Sequence, residues 1–324
     1  MKAILCTHFG GPDELELTEL PDPQPGPGEA VVRVAAAALN FFDTLIIAGK
    51  YQHKPPFPFS PAAEFAGTVQ SVGPGVSGIA SGDRVMGYMG WGAAREAVAV
   101  PARQLVRLPD GLDFNRAAGL TVTYGTTLYA LRERAQLKAG ESLVVLGASG
   151  GTGLAAVELG KMMDARVIAC ASSDEKLGFA RAHGADEVVN YSRDNLREAL
   201  RRLGGEHGID VVYDPVGGPY TEPAVRSLAW QGRYLVVGFA AGEIPKLPLN
   251  LVLLRACDIR GVFWGTWTKR EPAAQHALMG DIVRWCAEGK LSAHVHAVYA
   301  LADIAEALRA ISDRTVMGKI LLRP

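Results

Sequence analysis

The chain is 324 residues long, 48% apolar and 21% charged, with a formal net charge of -1. That length exceeds one ordinary hydrophobic core and suits two domains of a globular protein. Acids and bases are interspersed without a basic block, which excludes the electrostatic footprint of a nucleic-acid or membrane-surface partner.

The opening residues, MKAILCTHFG, hold too short an apolar run for a secretory signal. No run approaches the ~18 apolar residues of a membrane helix. Cys6, Cys170, Cys257 and Cys286 lie far apart without C-x-x-C spacing, as idle thiols of a reducing compartment do. A cytoplasmic protein is expected.

The first third reads as short strands: Lys2–Cys6, Leu15–Leu20, Glu29–Ala37, Ala66–Val72, Asp83–Met86 and Glu96–Val100. The alternation in Leu15–Leu20 predicts a half-buried strand. Pro21–Gly28 (PDPQPGPG) can only be a turn region, and Gly73–Gly82 is a Gly/Ser-rich loop. Such strands predict a partial barrel or sandwich. Loops are expected over 41–60 and 264–272.

Helical patterns follow at Asp113–Ala118 and Gly119–Ala135, and after Gly140 strands and helices alternate. Strands are expected at Leu143–Gly147, Arg166–Cys170, Glu187–Asn190, Ile209–Tyr213, Arg233–Val237 and Ile259–Phe263. Helices are expected at Thr152–Met163, Glu175–His183, Asn195–Leu203, Tyr220–Ala229 and Pro272–Glu288. Short Val/Ile/Leu runs between helices predict a parallel sheet covered on both faces. The end contributes a helix, Ala302–Ala310, and a strand, Lys319–Leu322. An α/β domain over 123–262 and a β-rich domain over 1–122, completed by 263–324, result. A cleft between two such domains is a default ligand site.

Leu143–Leu146 runs into Gly147-Ala-Ser-Gly150-Gly151-Thr-Gly153 and then a helix. Glycines let the backbone turn sharply and approach a pyrophosphate, whose charge the helix N-terminus then holds. The spacing, G-x-x-G-G-x-G, departs from G-x-G-x-x-G, and only the surrounding βα units distinguish a dinucleotide site from a tight turn. The next strand ends in Ala171-Ser172-Ser173, with Lys176 one turn on. An NAD site usually places an acid there. Hydroxyls and an ammonium suit the 2′-phosphate of NADPH, although Asp174 and Glu175 follow at once. On the other reading Ser173 is a helix cap and Lys176 a solvated residue.

Together these residues resemble the zinc-free quinone oxidoreductase branch of the medium-chain dehydrogenase/reductase superfamily, over essentially the whole chain. The motifs that carry the resemblance are Asn40-Phe41-Phe42-Asp43, Gly49-Lys50-Tyr51, Glu64-Phe65-Ala66-Gly67, Gly82-Asp83-Arg84-Val85, Tyr124-Gly125-Thr126, the glycine turn, Asp214-Pro215-Val216-Gly217-Gly218 and Val237-Gly238-Phe239. The resemblance implies an α/β protein with a GroES-like partial β-barrel and a Rossmann-type doubly wound parallel sheet. It implies NADPH as cofactor, with Phe41 and Thr126 among its contacts. Ser149, Gly150, Gly151 and Thr152 would meet the pyrophosphate, and Ser172, Lys176 and Tyr191 the 2′-phosphate. Phe239 and Phe263 would lie along the nicotinamide end, and Arg314 would reach the cofactor. For Tyr191, packing at a strand end is the alternative. A homodimer joined through Leu249–Leu254 and Ile259–Phe263 is also implied.

The zinc enzymes of the superfamily place cysteine where this chain has Asn40 and histidine where it has Ala63. Neither substitute anchors Zn²⁺, and residues 84–105 lack the cysteines of the structural zinc lobe. No metal is expected, and the chemistry shifts toward an acceptor that is already electrophilic. One candidate is a quinone, for which orientation suffices. The other is an activated C=C bond (enone, haloacrylate or enoyl thioester), which also needs a proton. Resemblance to enoyl thioester reductases puts the proton donor at Tyr51, with Asn40 orienting it or the ribose; either could instead be structural. His53 reads as a surface residue. Trp264 and Trp267 could stack a flat acceptor or pack between domains. Pro61-Ala62-Ala63-Glu64 lacks the family's glycine at position 62, so a locally different loop path is expected. A low-turnover NADPH-binding sensor or structural protein is the reading from another class.

Overall fold

A computed structural model describes all residues from Met1 to Pro324. Strands β1 (Lys2–Leu5) and β2 (Glu16–Glu19) pair as an antiparallel ribbon. β2 is not half-buried as its alternation predicts: Leu17 is exposed, because no layer covers that face of the ribbon. Past the Pro/Gly turn, β3 (Glu29–Leu39) leads directly into a short helix, α1 (Phe41–Ile47), where a loop is expected from sequence. Next come β4 (Glu64–Val72), β5 (Arg84–Tyr88), β6 (Ala97–Pro101), β7 (Leu105–Arg107) and α2 (Phe114–Ala118). Asp113 caps α2 by accepting the Arg116 N–H.

The helix α3 (Leu120–Leu128) widens into a π-type turn over Tyr129–Ala135. Strict alternation follows: β8 (Ser142–Leu146), α4 (Gly151–Met162), β9 (Arg166–Ala171), α5 (Asp174–Ala182), β10 (Glu187–Asn190), α6 (Leu196–Gly204), β11 (Ile209–Asp214), α7 (Thr221–Arg226) and β12 (Leu228–Val236). α7 stops at Arg226 rather than Ala229, and β12 starts five residues before Arg233 because Leu228 already pairs with Ile209. Then come α8 (Asn250–Arg255), β13 (Asp258–Gly261), α9 (Trp264–Arg270), α10 (Pro272–Ala287), β14 (Val295–Ala300), α11 (Ile304–Ser312) and β15 (Lys319–Arg323). No helix is long and apolar enough to cross a membrane.

The chain forms two units, Met1–Val122 with Met279–Pro324, and Thr123–Leu278. In the first, the sheet order is β14-β15-β3-β4-β5-β7, with β6 also on β3, and only the β14–β15 pair is parallel. Its core joins Val32, Leu39, Phe65, Val85 and Val98 to Leu308 and Leu322 from the returning segment. This is a GroES-like partial barrel.

In the second unit all strands are parallel, in the order β10-β9-β8-β11-β12-β13. With right-handed crossovers this is the doubly wound Rossmann arrangement, whose direction reverses between β8 and β11. Burial on both faces explains its unbroken apolar strands: every residue of Ser142–Leu146 is buried. The unit runs on to Leu278, past residue 262 where the sequence pattern suggests its end. α9 holds the extra segment in place: Trp264 is buried and donates to Gln275 Oε1 at 3.0 Å, and Trp267 stacks on Tyr129 with centroids 4.5 Å apart. Both tryptophans thus have partners within this unit.

Candidate functional site

The second unit presents a candidate dinucleotide site along the carboxyl edge of its sheet. β8 is followed by Gly147, whose φ of +62° only glycine adopts cheaply. Gly147 O accepts the Gly150 N–H at 3.1 Å, and a Cβ on Gly153 would lie 2.1 Å from that same oxygen. Strand, turn and helix therefore approach more closely than any side chain allows. Gly150 begins α4 without a side-chain cap, so the first-turn N–H groups of this twelve-residue helix remain available to an anion. Ser149 is buried in the turn, and Gly151 and Thr152 are half-buried. Thr127 buttresses the turn: its Oγ1 lies 2.7 Å from the Thr123 carbonyl, 3.3 Å from that of Thr152 and 2.9 Å from the Tyr213 hydroxyl. Thr126, its neighbour, is half-buried.

At the tip of β9, Lys176 Nζ lies 3.4 Å from Ser172 Oγ, while Ser173 caps α5 through the Lys176 N–H at 3.3 Å. Asp174 is engaged elsewhere. Its carboxylate accepts from Asn190 Nδ2 at 2.9 Å and Arg193 Nη1 at 3.1 Å. The Asn190 hydrogen bond and then the Arg193 charge hold it below the usual carboxylate range. One of the two acids that argue for NADH in sequence is thereby ion-paired with Arg193, away from the Ser172–Lys176 pair. The Tyr191 ring packs on Tyr220 at 4.3 Å.

β11 ends at buried Asp214, which accepts the N–H groups of Val216 at 2.7 Å and Gly217 at 2.8 Å and the hydroxyl of Tyr234. These bonds shape the Pro215–Gly218 turn, and Phe239 lies against Gly217, where a Cβ would be 2.9 Å from its ring. Phe239 and Phe263 follow neighbouring parallel strands and are 38% and 50% exposed, so two large apolar rings stand open along this edge.

The first unit holds a buried polar nest where β3 passes into α1. Asn40, Asp43, Glu64 and Lys319 are all buried. Asn40 Nδ2 donates to Glu64 Oε1 at 3.0 Å, and Lys319 Nζ donates to Glu64 Oε1 at 2.9 Å, Asn40 Oδ1 at 2.7 Å and the Leu39 carbonyl at 2.8 Å. Glu64 Oε2 accepts the Val122 N–H at 2.7 Å. Asp43 accepts the N–H groups of Asn40 at 2.7 Å and Ala62 at 3.1 Å. Burial pushes its carboxyl up to about 7, against the pull of these two bonds and of Lys319. The bond from Ala62 explains its backbone. Ala62 takes the left-handed φ of +62° that glycine would, so the loop keeps that path with alanine.

Beside the nest, Tyr51 stacks on Phe42 at 5.5 Å, and the ring of His53 meets its edge at 5.9 Å. Burial, then the Asp43 charge, raise the Tyr51 hydroxyl above its ordinary value, so it is a protonated acid at neutral pH. Tyr88, opposite Glu64 in the β4–β5 register, is raised by burial and by Tyr51, Glu64 and Asp43. Phe41 opens α1 half-buried, and Arg314 lies exposed before β15 with φ +58°. Lys319 and Tyr88 are the members sequence reasoning missed. Lys319 sits 255 residues from Glu64, and nothing in its local pattern signals a buried ammonium.

A dinucleotide-binding sheet joined in sequence to a GroES-like barrel defines an oxidoreductase. The family model for zinc-binding dehydrogenases matches residues 151–279, and that for the alcohol dehydrogenase GroES-like domain matches residues 26–110. Quinone oxidoreductase-like protein 2 of Rattus norvegicus is 37% identical over 99% of this chain and 91% of its own. Quinone oxidoreductase of Pseudomonas aeruginosa is 32% identical over 100% and 99%. The crystal structure of Escherichia coli quinone oxidoreductase complexed with NADPH superposes with a TM-score of 0.93 at 28% identity, covering 100% of both chains. The chain belongs to the medium-chain dehydrogenase/reductase superfamily, as a member of its quinone oxidoreductase type. It binds NADPH, and the close Gly147–Gly153 approach, the uncapped α4 terminus and the Ser172–Lys176 pair fit that cofactor.

Proposed function

We propose that this NADPH-dependent oxidoreductase reduces a quinone-type acceptor without a metal. The observation that carries the reading is the nest around Asn40: the position of a zinc ligand in related dehydrogenases holds an amide whose oxygen is already bonded to the Lys319 ammonium at 2.7 Å. The relatives' activity, as their names give it, supports a quinone.

Bound NADPH would supply the hydride. The α4 N-terminus, with Ser149, Gly150, Gly151 and Thr152, would hold its pyrophosphate. Ser172 and Lys176 would hold the 2′-phosphate with Tyr191 alongside, and Arg314 would reach the cofactor. Phe41, Thr126, Phe239 and Phe263 would flank the nicotinamide and exclude water. Asn40 would donate an N–H to the acceptor oxygen on which charge develops. Hydride addition and uptake of one proton convert a quinone to its hydroquinone, and solvent can provide that proton.

A second reading is favoured by Tyr51. Its protonated, half-buried hydroxyl beside Phe42 suits the α-carbon protonation that reduction of an activated C=C bond requires. Tyr51→Phe separates the two. On the quinone reading it leaves kcat with a para-quinone within about 3-fold; on the alkene reading it lowers kcat with an enone at least ~100-fold, the usual reach of general acid catalysis. The low-turnover reading predicts tight NADPH binding with no oxidation by either acceptor.

A homodimer forms through the free edge of β13. Leu249, Leu253 and Leu254 are each at least 70% exposed beside it, more apolar surface than an isolated sheet edge normally leaves open. A monomeric mass in solution contradicts this.

A further inference from the structure

The amide of Asn40 is held between a cation and an anion. The three hydrogens of Lys319 Nζ match three acceptors: the Leu39 carbonyl at 2.8 Å, Asn40 Oδ1 at 2.7 Å and Glu64 Oε1 at 2.9 Å. Asn40 Nδ2 gives one hydrogen to Glu64 Oε1 at 3.0 Å, and the remaining Glu64 oxygen takes the Val122 N–H at 2.7 Å. Asn40 is 8% exposed, Lys319 5% and Glu64 0%, so water does not screen these contacts. The lysine stem is seated as well: a Cβ on Gly119 would lie 3.0 Å from its Cγ, so a side chain there would displace it. Turning the amide over would set its NH₂ against the ammonium and its oxygen against the carboxylate, and both contacts would be repulsive. One orientation survives. In it Oδ1 is occupied, one Nδ2 hydrogen is occupied, and the second Nδ2 hydrogen is left.

We propose that Lys319 and Glu64 are positioning residues that lock Asn40 as a hydrogen-bond donor to the acceptor oxygen. The proposal rests on the reductase reading above and deepens it. The pair touches no substrate. It keeps the amide from presenting its carbonyl to an oxygen that becomes negative as hydride arrives. A donor already aimed at developing charge needs no reorganisation during the reaction. Loss of the lock therefore lowers kcat more than it raises KM.

The test is a double-mutant cycle with NADPH and a para-quinone. Glu64→Gln and Lys319→Met are each made in the native and the Asn40→Ala backgrounds. In the native background each is expected to lower kcat at least ~10-fold, in the range of a lost oxyanion donor. The Kd for NADPH stays within about 2-fold, and the Asn40→Ala background shows no further loss. Equal losses in both backgrounds overturn the inference, because the pair then acts without Asn40. If either variant fails to fold, the side-chain amide of Asn40 in ¹⁵N-asparagine-labelled wild type gives the answer, assigned by its absence from Asn40→Ala. One of its two protons should shift when NADP⁺ and a hydroquinone are added, and no shift in either overturns the inference. A wild type that oxidises NADPH with no acceptor overturns the reductase reading and this inference with it, whereas an active wild type with equal losses overturns this inference alone.

Discussion

Asp43 is a carboxyl that folding removes from water completely and leaves without a direct cationic partner. Its pKa rises from 3.8 in the unfolded chain to about 7, chiefly by burial. The folded state thus keeps a proton that the unfolded state releases. The stabilising contribution is fully present below pH 4 and is lost as pH rises through 7. Relative to Asp43→Asn, which does not titrate, the wild type is expected to lose ~3 to 4 kcal/mol of unfolding free energy between those limits. Urea melts at several pH values measure this, and a constant difference between the two proteins contradicts it. At this scale the sequence is half legible. Asn40, Asp43 and Glu64 stand in motifs that single them out, and Tyr51 does too. Lys319 does not, since a lysine at a strand start is indistinguishable from a solvated one until the fold carries it to Glu64. Asp174 shows the converse: its charge reads as an argument for NADH, and only the structure shows it hydrogen-bonded to Asn190 and paired with Arg193.

In the proposed site, the turn between β8 and α4 is the element on which cofactor binding depends. Gly153 faces the Gly147 carbonyl so closely that an added methyl meets backbone rather than a movable side chain. Gly153→Ala must therefore push α4 away from β8. A Kd for NADPH raised at least ~10-fold and a lowered Tm are expected, with a cost of roughly 1–3 kcal/mol from overpacking; calorimetric titration checks it, and unchanged affinity contradicts it. The βα repeats around this turn are legible because strands buried on both faces are continuous Val/Ile/Leu runs, and α5 and α6 stop at Gly184 and Gly205. Elements that lack a periodic signature are not. α1 (FFDTLII) is seven residues long and begins directly from a strand, and α9 is a single short helix of mixed residues. β14 lies at the edge of its sheet, where half-buried and exposed residues alternate although five of its six residues, VHAVYA, are apolar. β12 reaches back to Leu228 through Gln231 at φ +59°, an irregularity no propensity scale anticipates.

At the scale of the molecule, the chain builds a barrel, leaves it at Thr123 for a dinucleotide-binding sheet, and returns at Met279 to finish the first core. That return brings β15, and with it Lys319, alongside β3 and Asn40. The two-domain plan is visible in the change from strand-rich to alternating sequence, but the point of return is not, because α9 and α10 continue the helical pattern of the second unit into the first. The central claim, that the protein carries hydride from NADPH to a quinone, is tested most directly by following absorbance at 340 nm with a small para-quinone, with NADH and an enone in parallel. The account predicts quinone-dependent oxidation of NADPH with kcat/KM at least ~10-fold above that for NADH, about one charge-assisted contact to the 2′-phosphate. NADPH that binds tightly yet is not oxidised by either acceptor would contradict it.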